Sequence, residues 1–390
     1  MEDKTVRWLR PINKDSDGFV EMEGVLNTPP SDLSDRFCGV PFDYVEIHSG
    51  GRLFLCCPTW LPTQVGSLAD SDLVDAFNSD TAQDVRRSIL DGSYRHCHKL
   101  VCPHIQAGTL PRKTDIRDER HKRVIEQHQA PVLDPLELNL CYDDSCNLSC
   151  PSCRRELISV TSGPEYEERK SIQDKVIRFA FGEPHDRTIS VTITGSGDPF
   201  GSKLFRELLF GLDGSRYPNA NIRFHTNGVA FTPAVWNRLE KIHRNIDSVM
   251  VSVDAGSEAQ YQITRRGGKW QTLLNNLEFL GNKRREGAFR SLRLHLVVQR
   301  DNFRGIPEFV RIGKRVGADR CYLSLLNDWA TWTKDEFLAR TVWNREHPQF
   351  EEFVRVMADP IVGDAIVDLG NTVEYRKEAL TMFGIPAVVS

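Results

Sequence analysis

From residue 134 onward the chain alternates two kinds of pattern. Short apolar runs of strand character fall at Leu136–Tyr142, Thr188–Thr194, Asn221–Thr226, Ser248–Asp254, Leu292–Gln299 and Cys321–Leu326. Between them lie stretches of helical periodicity at 166–181, 202–213, 233–243, 270–284 and 306–316. The third helix opens with Thr232 ahead of Pro233, an N-cap followed by the residue favoured in the first turn. The fifth carries Ile306, Phe309, Val310 and Val316 on one stripe. Six strands with intervening helices predict a parallel sheet with right-handed crossovers, whose chemistry sits at the carboxyl ends of the strands. Upstream, residues 43–57 read as a hairpin, two alternating strands around Ser49-Gly50-Gly51. Residues 106–133, with Arg112-Lys113 and the run Asp118 to Arg123, read as a charged connector.

Composition narrows the class. With 390 residues, 40% hydrophobic and 27% charged, and a mean hydropathy of -0.40, the chain is neither disordered nor fibrous. It carries no repeat or low-complexity stretch. Lys and Arg are scattered singly and in pairs at a net charge of -4, which argues against a nucleic-acid surface. Met1-Glu2-Asp3-Lys4 leads to no apolar targeting region, and no window approaches the roughly eighteen apolar residues of a membrane span, so a cytoplasmic protein is expected. In a reducing compartment ten cysteines point to metal ligation rather than disulfides.

Nine of the ten lie within the first 153 residues. The tighter group runs Cys141-Tyr-Asp-Asp-Ser-Cys146-Asn-Leu-Ser-Cys150-Pro-Ser-Cys153, and its last three members have the spacing C-x3-C-x2-C. Three thiolates are one too few for a closed zinc site or a fully ligated iron-sulfur cubane, which leaves one iron open for a ligand that is not protein. This signature, placed directly after a strand, resembles that of radical S-adenosylmethionine (SAM) enzymes. The resemblance implies an α/β fold with a six-fold (β/α) partial TIM barrel, and a 4Fe-4S cluster held by Cys146, Cys150 and Cys153. The open iron would bind SAM, whose reductive cleavage gives a 5'-deoxyadenosyl radical that abstracts hydrogen from substrate. The residue before the third cysteine is usually aromatic in that family and here is Ser152, a weaker contact for the adenine. Further cofactor contacts follow strand by strand: Gly195, Ser196, Gly197 and Asp198 in a loop similar to the family's Gly-Gly-Glu-Pro, then Asn227, Ser252, Asp254, Gln299 and Leu325.

The earlier cysteines, Cys38-x12-Gly51-x4-Cys56 and Cys97-x4-Cys102, resemble the SPASM and twitch auxiliary-cluster modules of radical SAM enzymes, here preceding the barrel instead of following it. Cys38, Cys56, Cys97 and Cys102 would hold one auxiliary 4Fe-4S cluster, while strand alternation turns Cys57 to the opposite face. A structural zinc site is the bland alternative for each group. Cys321, at the amino end of its strand, reads as core. Cys141 alternates with Leu136, Leu138 and Leu140. If its face points inward, its thiol is the candidate catalytic group that returns a hydrogen atom to a substrate radical.

The expected organisation is an N-terminal extension (1–36), a SPASM/twitch-like domain (37–105), the connector (106–133), the partial barrel (134–330) and a C-terminal segment closing it (331–390). The first 35 residues are short for the peptide-recognition domain often fused to peptide modifiers. The expected substrate is therefore a small polar molecule, a carbohydrate or nucleotide-sugar, undergoing oxidation or epimerisation. An electron donor such as flavodoxin or ferredoxin is the expected partner. A maturase of a ribosomal peptide and a non-catalytic zinc-stabilised binding protein stand as alternatives.

Overall fold

The computed structural model describes residues 32–385 except 101, 107, 129–133 and 195, so Gly195 and most of the expected N-terminal extension lie outside the described residues. The described chain forms two compact units, one of residues up to 143 with 162–195, the other of 144–161 with the residues from 196 on.

In the first unit the hairpin is present as β1 (Tyr44–His48) and β2 (Arg52–Phe54), paired antiparallel with Glu46 opposite Phe54. The turn between them uses Gly50 and Gly51 at φ of 71° and 70°, which side-chain-bearing residues rarely adopt. A third strand, β3 (Gln64–Ser67), extends the hairpin. On its other edge β1 pairs parallel with β4 (Glu137–Cys141), and β4 pairs parallel with β5 (Ile189–Ile193). Helix Pro164–Phe181 connects β4 to β5, and its Lys175 ammonium donates to the carbonyls of Leu68 and Ser71. Val45, Ile47, Leu138, Leu140, Val191 and Ile193 form the buried apolar face. The register puts Tyr44, Glu46 and His48 beside Glu137, Asn139 and Cys141 on the other face, with Ser190 and Thr192 continuing it. Arg86, fully buried, is held by donating to the carbonyls of Pro41 and Phe77 and by the Phe77 ring 4.3 Å away.

In the second unit five parallel strands lie in sequence order: β6 (Ala220–Thr226), β7 (Ile246–Ser252), β8 (Ser291–Val298), β9 (Arg320–Leu325) and the short β10 (Val367–Asp368). Thr232 caps its helix as expected, its hydroxyl accepting from the Val235 amide. That helix ends at Arg238 and gives way to a tighter turn over 240–245, so it is shorter than the predicted 233–243. Helix Glu258–Thr264 and strand β10 are elements the periodicity did not announce. Cys321 is fully buried, as expected of core. Strands β4 to β9 supply the six strands of the α/β partial-barrel class, with a cysteine-rich region ahead of them. No helix among the described residues is long and apolar enough to cross a membrane.

Candidate metal centres

The loop after β4 folds back on itself, with the Cys146 amide donating to the Ile158 carbonyl and the amides of Cys153 and Arg154 donating to the Cys150 carbonyl. Its three thiols each meet one side-chain N–H donor. Asn227 Nδ2 lies 3.6 Å from Cys146 Sγ, Arg265 3.7 Å from Cys150 Sγ, and Arg154 3.3 Å from Cys153 Sγ. The Leu148 amide adds a second donor to Cys146 at 3.4 Å. Burial pushes the Cys146 thiol up to about 12, with Asp198 adding to the effect, and burial likewise raises Cys150 against the opposing charge of Arg265. Metal binding would therefore displace protons from these thiols, with the N–H donors offsetting the negative charge left on sulfur.

Asp198 organises the loop opposite. One carboxylate oxygen accepts from the amides of Phe200 and Gly201 at 2.9 and 3.0 Å, and the other from the Thr226 hydroxyl and the Asn227 amide, both at 2.8 Å. All four donors point at a fully buried carboxylate, so Asp198 ties its loop to the carboxyl end of β6. Asn227, fixed in this way, also donates to the Asn147 side chain at 2.8 Å. Arg154 further donates to the Asp144 and Ser196 carbonyls, both at 2.5 Å. Asp254, at the end of β7, accepts from the Val297 amide at 2.7 Å and pairs with Arg265 at 2.8 Å. Ser252 Oγ lies 3.0 Å from His225 Nε2, and the Leu325 amide donates to Asn371. Ser152, Thr264 and Gln299 line a cavity of about 40 Å³ with Asp301, Trp332 and Arg340. Gly197 sits in the same loop as Asp198.

Arg154 and Arg265 were not singled out from the sequence, and Asn147 only as the residue following the first cysteine of the motif. Each arginine is the first of an Arg-Arg pair, 154-155 and 265-266, and such pairs read as solvated charge. The available signal was the position of Arg154 directly behind Cys153.

In the first unit Cys38, Cys56, Cys97 and Cys102 gather into one group. Burial pushes Cys38 up to about 11 and Cys97 up to about 12 and raises Cys56 and Cys102. Charge repulsion among these thiols couples every pair of the four. Cys57 acts in the same way on its neighbour Cys56 and is itself raised by burial and by Glu46. Two local hydrogen bonds and one longer-range one build the second half of the group: the Cys97 amide donates to Tyr94 and the Cys102 amide to His98, while the His98 amide reaches Trp60. Cys141 is buried on the polar face of β4, its Sγ 3.7 Å from Glu46 Oε1.

Both cysteine sets offer the thiol donors that iron-sulfur clusters take. Around a single tetrahedral zinc with Zn–S of about 2.3 Å, sulfurs sit about 3.8 Å apart. Neither set draws three of its thiols within 4.8 Å of one another, whereas the corners of a cubane hold thiolates more widely spaced. Buried donors without acceptors accompany each set: Tyr94 Oη beside Cys38, Cys97 and Cys102, and Tyr261 Oη with Arg265 Nε beside Cys150. Gln299 Nε2 is a further unpartnered donor at the small cavity. Orphaned donors of this kind await an anionic or acceptor group.

Residues 144–311 match the family model of the Radical SAM superfamily, and residues 38–103 match that of the SPASM iron-sulfur cluster-binding domain. The chain carries a radical SAM domain preceded by a SPASM domain. Radical SAM and SPASM domains together imply a SAM-binding 4Fe-4S cluster and auxiliary cluster binding. Among curated proteins the chain is similar to the mycofactocin maturase MftC of Mycobacterium tuberculosis, 26% identical over 196 residues. That match covers 50% of this chain and 46% of the relative, so it spans about half the relative's length. Among solved structures it is similar to Streptococcus suis SuiB bound to precursor peptide SuiA, at 13% identity and TM-score 0.36, covering 68% of this chain and 50% of that one. A TYW1 structure with a lysine-pyruvate adduct bound is 18% identical at TM-score 0.34, covering 56% of this chain and 70% of that one.

Proposed function

We propose that this chain is a radical SAM enzyme that modifies a peptide, with Cys146, Cys150 and Cys153 as ligands of the SAM-binding cluster. Cys38, Cys56, Cys97 and Cys102 are the ligands of one auxiliary cluster. The observation that carries the reading is the matching of one side-chain N–H donor to each of the three loop thiols, within a matched radical SAM domain. When bound, the first cluster supplies the electron for reductive cleavage of SAM. The chain's own residues hold the surroundings in place. Arg154, Arg265 and Asn227 direct N–H groups at sulfur, and Asp198 fixes Asn227 and the loop containing Ser196 and Gly197. Ser152 and Gln299 offer polar contacts at the edge of the small cavity, and Tyr261 offers its unpartnered hydroxyl. Asp254 acts through Arg265, because its carboxylate is already engaged by that side chain and the Val297 amide.

A peptide replaces the small polar substrate expected from the sequence. The support is the similarity to a maturase, set against an expectation that rested on the shortness of the first 35 residues. Oxidation is the reaction favoured by four cysteines around the auxiliary cluster, since a fully ligated cluster can accept an electron but offers no corner to substrate. A small flavodoxin- or ferredoxin-type donor would deliver the reducing electron.

Anaerobically loaded protein with SAM and dithionite tests the reading. Formation of 5'-deoxyadenosine should rise above its uncoupled rate when precursor-type peptides are added and not when nucleotide-sugars are. Stimulation by the nucleotide-sugars alone would return the substrate to the carbohydrate class.

A further inference from the structure

Glu46, His48 and Cys141 form the one group among the described residues whose three ligand-type atoms all lie within 4.8 Å of one another. It belongs to neither cysteine set. Glu46 and His48 are two residues apart on β1, so both side chains leave the same face, and His48 pairs in register with Cys141 on the adjacent parallel strand β4. His48 and Cys141 are the last residues of their strands, at the carboxyl ends where barrel chemistry is placed. Two hydrogen-bonded strands are a rigid platform, which a ligand set needs more than a loop does.

The distances suit one small ion. Glu46 Oε1 lies 2.8 Å from His48 Nε2 and 3.7 Å from Cys141 Sγ. Metal–ligand bonds of about 2.0 Å to oxygen and nitrogen and 2.3 Å to sulfur would separate tetrahedral donors by roughly 3.3 to 3.6 Å, so both Glu46 separations lie within about half an ångström of a shared coordination sphere, with His48 and Cys141 within 4.8 Å of one another. The other Glu46 oxygen accepts from the Tyr44 hydroxyl at 2.6 Å, the kind of outer contact that orients a ligating carboxylate. On the same face, Asn139 Oδ1 is buried without a partner.

Burial adds to the geometry. Glu46 is only 7% exposed, and its sole ionic neighbour among the described residues is His48, which balances it only when protonated. Buried carboxylates are fully hydrogen-bonded, paired with a cation or bound to a metal. A divalent ion bound by a carboxylate, a thiolate and a neutral imidazole leaves the group with no net charge.

We propose that Glu46, His48 and Cys141 form a third metal centre, a site for one zinc-type divalent transition-metal ion with an exchangeable fourth position. Mixed sulfur, nitrogen and oxygen donors select such an ion over magnesium or calcium. Three protein ligands leave room for water or a carbonyl or carboxylate oxygen of the substrate. On binding, the Cys141 thiol proton leaves to solvent, sulfur donates its pair to the ion, and His48 binds through Nε2 as neutral imidazole. No electron is transferred. The centre competes with the hydrogen-donor role for Cys141, because a metal-bound thiolate has no hydrogen atom to give.

The test uses protein whose cluster cysteines are already filled with iron. This holoprotein is equilibrated anaerobically with a small excess of zinc chloride, desalted, and analysed for zinc and iron. One zinc per chain is expected in the wild type. Cys141→Ser and His48→Gln should lose the zinc while keeping their iron, which shows that they fold. Tyr44→Phe should still bind, about 10- to 100-fold more weakly, because it removes only an orienting contact. Zinc K-edge absorption on the wild type gives a readout independent of any variant: one sulfur with nitrogen and oxygen neighbours is expected. Background zinc in the wild type, zinc retained in Cys141→Ser, or an all-sulfur shell would each overturn the proposal.

Discussion

Asp198→Asn changes no volume and removes one acceptor. In the wild type both oxygens of this fully buried carboxylate accept two hydrogen bonds, one pair from the Phe200 and Gly201 amides and the other from Thr226 and Asn227. In the variant an amide nitrogen must face one of those pairs. A hydrogen bond to a charged acceptor contributes about 1.5–3 kcal/mol, so two lost bonds cost about 3–6 kcal/mol. The Thr226 hydroxyl can turn to accept from the new amide, which returns about one bond and leaves a net loss of about 2–4 kcal/mol. The loss is local, and native-state hydrogen exchange reads it directly. If these amides exchange through local opening, those of Phe200, Gly201 and Asn227 should exchange roughly thirty- to several-hundred-fold faster, while core amides of β8 change far less. Asn227 should also hold its N–H less firmly toward Cys146, seen as altered electron paramagnetic resonance of the reduced cluster. Exchange within threefold of wild type at all three amides would refute the view that this carboxylate clasps the loop to β6.

Replacing Cys146, Cys150 and Cys153 together by Ala should remove about half of the roughly eight irons expected for two cubanes and abolish 5'-deoxyadenosine formation, checked by iron analysis and chromatography. Loss of all iron would undermine the two-site assignment. Cys97→Ala should remove only the auxiliary iron and leave part of the SAM cleavage, whereas intact iron content would show that its ligand set is wrong. Arg265→Met leaves Asp254 buried without its partner and should destabilise the fold by about 3–5 kcal/mol, measured by urea titration of the loaded protein. It should also lower the reduction potential of the cluster beside Cys150, read in an electron paramagnetic resonance titration. Burial pushes His225 and His295 down to about 3, below the roughly 6.5 of an unfolded chain, so each contributes stability that is present above about pH 6.5 and lost as pH falls toward 3. The drop in melting temperature between pH 7.5 and 6 should accordingly be smaller in His295→Gln, and an unchanged drop would count against this source of pH dependence.

The strands β4 to β9, the Ser49-Gly50-Gly51 hairpin and the Thr232 cap were legible because each depends on residues a few positions apart, where periodicity and turn chemistry act. The Cys146, Cys150 and Cys153 spacing was legible because it lies within one loop, whereas the approach of Cys97 and Cys102 to Cys38 and Cys56 depends on longer-range contacts such as the His98 amide on Trp60. The length of the third helix was not. Its periodicity runs through Leu239, but the backbone tightens there into a 3-10 turn. Nor could sequence show that Arg154 and Arg265, both in charged pairs, would turn toward thiols, because that depends on which way each side chain leaves a loop. Asp198 was legible as a loop acid, yet its four donors come from two segments of the chain.

Cys141 marks the limit most clearly. Alternation on its strand gave the polar set that it belongs to, but not its neighbours. Glu46 and His48 lie more than ninety residues earlier, and it is the parallel register of β1 on β4 that sets His48 against Cys141. A shift of one residue would turn the whole of β1 over. Local patterns determine which faces are polar and which cysteines travel together. The choice of strand neighbours is made by burying the apolar face of both strands at once, a long-range condition that only the tertiary structure satisfies.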